Sequence, residues 1–262
     1  MADQIVVTDK QEIARLVLNK PEVYNAFDLE MVRLLADTLI KLAADPEIAG
    51  VVITGSGKAF CAGGDLGWAN GYGKSRSGAF HELAARYHQA IVEIRRMPKP
   101  VVAAINGMAA GGGFSLALAC DFRVMAASAV LKQGYTSNGL SIDGGGTFTL
   151  PRLVGMARAL EIAAFDPVID TQKALSWGLV TEVTDDGQAV ERGEAMCRRI
   201  TMGARSSFAA SKKLITEAYA TPFETHLENE RRLLSWCADQ PAGREGIAAF
   251  LEKRKPRFEG LA

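Results

Sequence analysis

A β-branched run, Val51-Val52-Ile53-Thr54, closes on Gly55-Ser56-Gly57, and this coupling of a buried strand to a glycine turn constrains the fold most. Such a run has no polar face, so the strand must be covered on both sides, as in a parallel sheet flanked by helices. Val101 to Ile105 reads as a second buried strand; a glycine cluster follows it, and a helix opens over Phe114 to Ala119. Phe122 to Ala126 and Ile13 to Leu18 read as further strands. Leu29 to Ala43 carries Met31, Leu34, Leu35, Leu39 and Leu42 at helical spacing. Glu82 to Arg96 is helical by period and stops at Met97-Pro98-Lys99-Pro100. Recurrence of strand, glycine turn and helix through roughly the first 180 residues predicts an α/β core of repeated units with loops gathered at one edge.

From Ala189 onward strand signals disappear. Glu191 to Ile200, Ser206 to Tyr219, Phe223 to Cys237 and Gly243 to Arg254 all read as helices. The division expected is a core over 1–188 and a helical region over 189–262, whose apolar faces must pack on the core or on another subunit.

Composition excludes more than it selects. Lys plus Arg and Asp plus Glu each total 30, which leaves no general attraction for nucleic acid or anionic membrane, only room for a local basic patch. Met1 to Lys10 is charged and lacks an apolar h-region, and no run approaches the ~18 apolar residues of a membrane span, so a cytoplasmic protein is expected. Cys61, Cys120, Cys197 and Cys237 are scattered without a CxxC pair and read as free thiols rather than as metal ligands. Gly55 to Phe60 lacks the last glycine of a dinucleotide fingerprint. His81-Glu82 has Ala85 where a zinc protease needs histidine, and no nucleophile-elbow motif occurs.

Two segments carry chemistry. Lys58-Ala59-Phe60-Cys61-Ala62-Gly63-Gly64-Asp65-Leu66 follows one buried strand, and Ala104 to Ser115, with Gly111-Gly112-Gly113, leads from another into a helix. Glycine lets backbone approach a ligand with its N–H directed outward, and a helix N-terminus adds the positive end of its dipole. Two such N–H groups on one oxygen would stabilise an enolate or tetrahedral oxyanion; tight turns with close helix–strand packing need the same glycines.

Together these segments resemble the crotonase (enoyl-CoA hydratase/isomerase) superfamily. The resemblance extends over Leu18 to Ala26, Ala119-Cys120-Asp121, Leu150-Pro151-Arg152-Leu153-Val154-Gly155 and Ala174 to Val180. It implies a spiral of ββα units with a C-terminal helical oligomerisation region, assembled as a homotrimer or dimer of trimers. It also implies an acyl-CoA substrate, with coenzyme A entering as part of the thioester and with no metal or prosthetic group. By position, Gly64 and Gly112 become the oxyanion-hole donors. Val23, Ala62 and Asp65 fall among the coenzyme A contacts. Phe250 and Lys253 match residues that hold the nucleotide, often of a neighbouring subunit.

The hydratases of that family use two glutamates, and their positions fall here on Ser115 and Tyr135. Neither hydroxyl can replace a carboxylate base near neutral pH, so simple hydration is not expected. Asp143, in Gly139-Leu140-Ser141-Ile142-Asp143-Gly144-Gly145-Gly146-Thr147, matches a catalytic aspartate of several crotonase branches; on residues alone it could equally stabilise a turn or cap a helix. Burial there would make it a better base. In the isomerases that aspartate moves a proton, in 4-chlorobenzoyl-CoA dehalogenase it attacks the ring, and in naphthoate synthase it serves ring closure.

The isomerases are the nearest match. The dehalogenase stays open because the spacings of His88, Gly112 and Asp143 match it, with His88 then the base that activates water. Phe80, Tyr87 and Tyr135 fall at pocket positions and suggest a cyclic or aromatic acyl group. A non-catalytic homologue binding coenzyme A or RNA is the remaining alternative, with neutral charge against RNA and Asp143 against silence. His81 and His226 carry no motif and read as structural or exposed.

Overall fold

The computed structural model describes residues 3–10, 12–73 and 75–261. In chain order the strands and α-helices are β1 (Ile5–Lys10), β2 (Ile13–Leu18), α1 (Leu29–Ala44), β3 (Gly50–Gly55), β4 (Ala59–Cys61), α2 (Leu66–Gly71), α3 (Arg76–Arg96), β5 (Val101–Ile105) and β6 (Met108–Ala110). They continue as α4 (Gly112–Ala119), β7 (Phe122–Ala126), β8 (Leu131–Lys132), α5 (Gly146–Phe165), α6 (Thr171–Ser176), β9 (Glu182–Thr184), α7 (Ala189–Thr201), α8 (Arg205–Glu217), α9 (Phe223–Asp239) and α10 (Pro241–Leu251).

The expected buried strands lie side by side. A six-stranded sheet runs β1-β2-β3-β5-β7-β9, parallel except for the β1–β2 pair, and a second sheet runs β4-β6-β8. The chain therefore places one strand in the large sheet, the next in the small sheet, and then a helix, before stepping one position along both sheets. That is the ββα spiral of the crotonase fold. Every residue of β3 and β5 is buried, which is why both read as continuous apolar runs.

Sequence periodicity missed several details. The small sheet was not expected, because strands of two or three residues carry too little pattern. Helix α3 begins at Arg76, before the expected Glu82, with the Ser75 hydroxyl accepting from the Gly78 N–H at 3.0 Å. On α1 the buried face is Met31, Val32, Leu35, Ala36, Leu39 and Leu42, whereas Leu34 is exposed. Helix α5 holds Pro151 and breaks at Gly155, whose φ of 75° leaves the helical region.

Helix α7 packs across β3 and β5: a Cβ at Gly193 would lie 3.3–3.6 Å from Ala104, Val52 and Val102. The buried Lys212 ties α8 to the core, donating to Asp121 at 2.7 Å and to the Ile94 and Lys99 carbonyls at 2.9 and 3.0 Å. Its charge is thus paired and its donors used, the condition for an ammonium to be buried. Farther along, Met202, Ile215, Tyr219, Phe223, Leu234, Phe250 and Leu251 are each at least 70% accessible. Among the described residues no helix is long and apolar enough to cross a membrane.

Candidate active site

The loop before α1 is built on Asn25, which is fully buried with a left-handed φ of 59°. Its carboxamide accepts from the Lys20 N–H at 2.9 Å and donates to the carbonyls of Ala59 (2.8 Å) and Ser56 (3.0 Å). Residues 20–27 are thereby fastened to β4. The Phe27 N–H then donates to Gly63 and the Asp65 N–H to Phe27, each at 2.7 Å, so the first glycine segment runs alongside that loop.

The second glycine segment meets the first backbone to backbone. A Cβ on Gly63 (φ 94°) would stand 2.6 Å from the Gly112 nitrogen, and one on Gly113 only 2.1 Å from the Cys61 carbonyl oxygen. Side chains at either position would force the segments apart. The Gly63 N–H donates to the Cys61 sulfur and the Gly111 N–H to the Lys132 carbonyl. Among the described residues, the N–H groups of Gly64 and Gly112 have no protein acceptor. Gly112 is also the first residue of α4, at the positive end of its dipole.

Both glycines line a cavity of about 250 Å³ together with Ala62, Phe80, Tyr87, Tyr135 and Asp143. The three expected aromatics are therefore brought to one cavity. Phe27, Leu66, Leu83, Lys132 and Leu140 line it too and were not anticipated, since only the fold brings them there. The Tyr87 ring packs 5.1 Å from Phe27, and its hydroxyl donates to the Gly112 carbonyl at 2.5 Å, so Tyr87 also clamps the start of α4. Burial holds its phenol well above the usual range. Burial likewise raises Tyr135, outweighing the Ser115 hydroxyl and the Asp143 backbone N–H, which pull it down.

Asp143 is the only carboxylate among the described residues lining the cavity. Its Oδ1 lies 2.6 Å from His88 Nε2. The burial that would make it a better base is incomplete: 36% of its side chain is accessible, beside a histidine that is itself half exposed. Ser115, whose contact with Asp143 no motif announces, is fully buried and donates its hydroxyl to the Asp143 carbonyl at 2.7 Å.

The expected coenzyme A positions separate into two groups. Ala62 lines the cavity, and its N–H donates to Tyr24, next to the half-buried Val23. Asp65 caps α2, accepting from the Trp68 N–H at 2.9 Å, and lies 4.0 Å from the Lys20 ammonium. Phe250 and Lys253 are exposed at the end of α10 and do not line the cavity of their own protomer. His81 is exposed, and His226 lies 3.5 Å from Glu230 one turn along α9. Burial pushes the Cys61 thiol up to about 12, and the thiol donates to the Asn25 carbonyl at 3.1 Å. No group of three or more metal-ligating side chains occurs among the described residues.

Comparison with known proteins places the family and the fold. The enoyl-CoA hydratase/isomerase family model matches residues 8–261. A probable enoyl-CoA hydratase of Rhodobacter capsulatus is 39% identical over 248 residues, 95% of either chain. The 1,2-epoxyphenylacetyl-CoA isomerase of Escherichia coli K12 is 34% identical over 264 residues, 99% of this chain and 100% of that one. The crystal structure of an enoyl-CoA hydratase from Polaromonas sp. JS666 matches with a TM-score of 0.91 at 38% identity, covering 97% of this chain and 98% of that one.

Proposed function

The chain belongs to the enoyl-CoA hydratase/isomerase family, and from that premise we propose that it is an isomerase of acyl-CoA thioesters in which Asp143 carries the proton. The observation behind this reading is the acid–base inventory of the cavity. Gly64 and Gly112 bring two N–H groups without a protein acceptor to the cavity lining, and the hydratase glutamate positions hold Ser115 and Tyr135, both without a carboxylate. Among the described residues lining the cavity, Asp143 is the one carboxylate available as a base toward a carbon acid.

In the proposed reaction the Asp143 carboxylate removes a proton beside the thioester or one double bond farther along. The electron pair flows into the carbonyl, and the resulting enolate oxygen rests on the Gly64 and Gly112 N–H groups. The protonated Asp143 then returns the proton at a second carbon. Donors already aimed at the developing charge need no reorganisation, and one donor of this kind is worth about 3 kcal/mol. Phe80, Tyr87 and Tyr135 suit a flat, cyclic or aromatic acyl group. The isomerase named among the relatives acts on a phenylacetyl-CoA derivative, which is consistent with that preference. The exposed apolar residues of α8 to α10 are read as the faces of a homotrimer, and Phe250 and Lys253 as contacts to a neighbour's coenzyme A.

The test is a mass-spectrometric and NMR screen of acyl-CoA thioesters against wild type and Asp143→Asn. Double-bond migration lost in the variant supports the reading; an Asn variant with full activity overturns it.

The His88–Asp143 contact favours one second reading, in which Asp143 attacks a halogenated aromatic ring and His88 activates water to release the product. Halide release from 4-chlorobenzoyl-CoA, with a trapped aryl ester on Asp143, would select it over isomerisation.

A further inference from the structure

We infer that Ser115 is a positioning residue, the strut that fixes the Asp143 carboxylate at a set distance from the oxyanion hole. The inference rests on the reading of Asp143 as the proton carrier. Ser115 lies in the first turn of α4, where its own N–H donates to Gly111 at 3.1 Å, so it is rigidly tied to the helix whose first residue, Gly112, supplies a hole donor. From there its hydroxyl donates to the Asp143 carbonyl at 2.7 Å. That carbonyl also accepts from the Gly146 N–H at 3.1 Å, which closes the turn behind the carboxylate.

Packing is close on the side that faces Gly144 and Gly146. A Cβ on Gly144 would lie 3.0 Å from the Ser115 Cβ and 2.4 Å from the Tyr87 ring, and one on Gly146 only 2.8 Å from the Ser115 hydroxyl. The backbone after Asp143 is thus wedged between Ser115 and Tyr87, and Tyr87 in turn holds the Gly112 carbonyl. The hole and the base sit on segments far apart in sequence, and among the described residues Ser115 is the one side chain bonding from the hole's helix to the base's own residue. A longer side chain at position 115, such as a glutamate, would run into the Gly144–Gly146 backbone. The same position therefore has a different task here: it supplies geometry where the hydratase pattern supplies a base.

Proton transfer demands this registry far more than binding does, since a displacement of about 1 Å can cost about 100-fold in rate. Proton exchange at the α-carbon of phenylacetyl-CoA in D2O, followed by NMR, reads the Asp143 step. Affinity for the same thioester and thermal stability are measured alongside. Ser115→Ala is expected to slow exchange roughly 10- to 100-fold, with affinity within about twofold and a melting temperature lowered by no more than about 5 °C. Ser115→Thr, which keeps the hydroxyl, recovers most of the rate. Full exchange by Ser115→Ala overturns the inference and leaves the Asp143 reading standing. So does a loss that appears equally in affinity and stability, or a stably folded threonine variant with no recovery. Absence of exchange in wild type, or full exchange in Asp143→Asn, sinks the underlying reading and this inference with it.

Discussion

His88 and Asp143, 55 residues apart, meet at 2.6 Å between Nε2 and Oδ1, joining the exposed side of α3 to the turn that opens α5. Whether the histidine orients the aspartate or activates water is decided by what its replacement does. Under the isomerase reading His88→Gln keeps a donor at the aspartate and retains activity within about tenfold, whereas His88→Leu loses more. Under the nucleophilic reading His88→Gln stalls with an aryl ester on Asp143, visible as added mass in the intact protein.

Two neighbouring glycines of the first segment respond unequally to a methyl group. At Gly64 a Cβ finds its nearest neighbour, a Leu83 methyl, at 3.6 Å, so Gly64→Ala should fold and keep turnover within a few-fold. At Gly63 the φ of 94° and the 2.6 Å approach to Gly112 leave no room. Gly63→Ala should lower kcat/KM by roughly 100- to 1,000-fold by displacing the Gly112 N–H. Steady-state kinetics on a substrate from the thioester screen compares them.

Removing the Asn25 side chain strands several buried partners at once, the Lys20 N–H and the Ala59 carbonyl among them. Asn25→Ala should destabilise the protein by about 2–4 kcal/mol. Urea denaturation with an unchanged m-value would register this; a loss below about 1 kcal/mol would mean that water replaces the carboxamide.

Glu245 secures the chain end that follows Lys253. It accepts from Arg254 at 2.6 and 2.9 Å and from the Arg257 N–H at 2.7 Å, and these bonds pull its carboxyl from 4.5 down to about 2. A depressed carboxyl stabilises the docked form above its unfolded value and loses that effect as pH falls through its folded value. Docking of residues 254–257 should therefore be complete above pH 4.5 and fade toward pH 2. Hydrogen exchange of those amides reports it, and Glu245→Gln should show the undocked pattern already at pH 7.

Much of the fold was legible along the chain because its signals are local. The apolar runs of β3 and β5 and the periodicity of α1 and α9 arise from residues a few positions apart. The two glycine segments stood out by residue type and Asp143 by its glycine-rich setting, although the backbone that glycines 63, 112 and 113 approach lies far off in sequence. Which face of α1 is buried, the small sheet and the early start of α3 depended on neighbours the pattern does not contain. So did the site's wiring. Only packing of α3 against the turn before α5 sets His88 on Asp143, and only the wedge of Gly144 between Tyr87 and Ser115 makes a buried serine a strut. Sequence determined which groups were present; the distances that couple them belong to tertiary structure, because residues tens of positions apart become neighbours only when the core between them is packed.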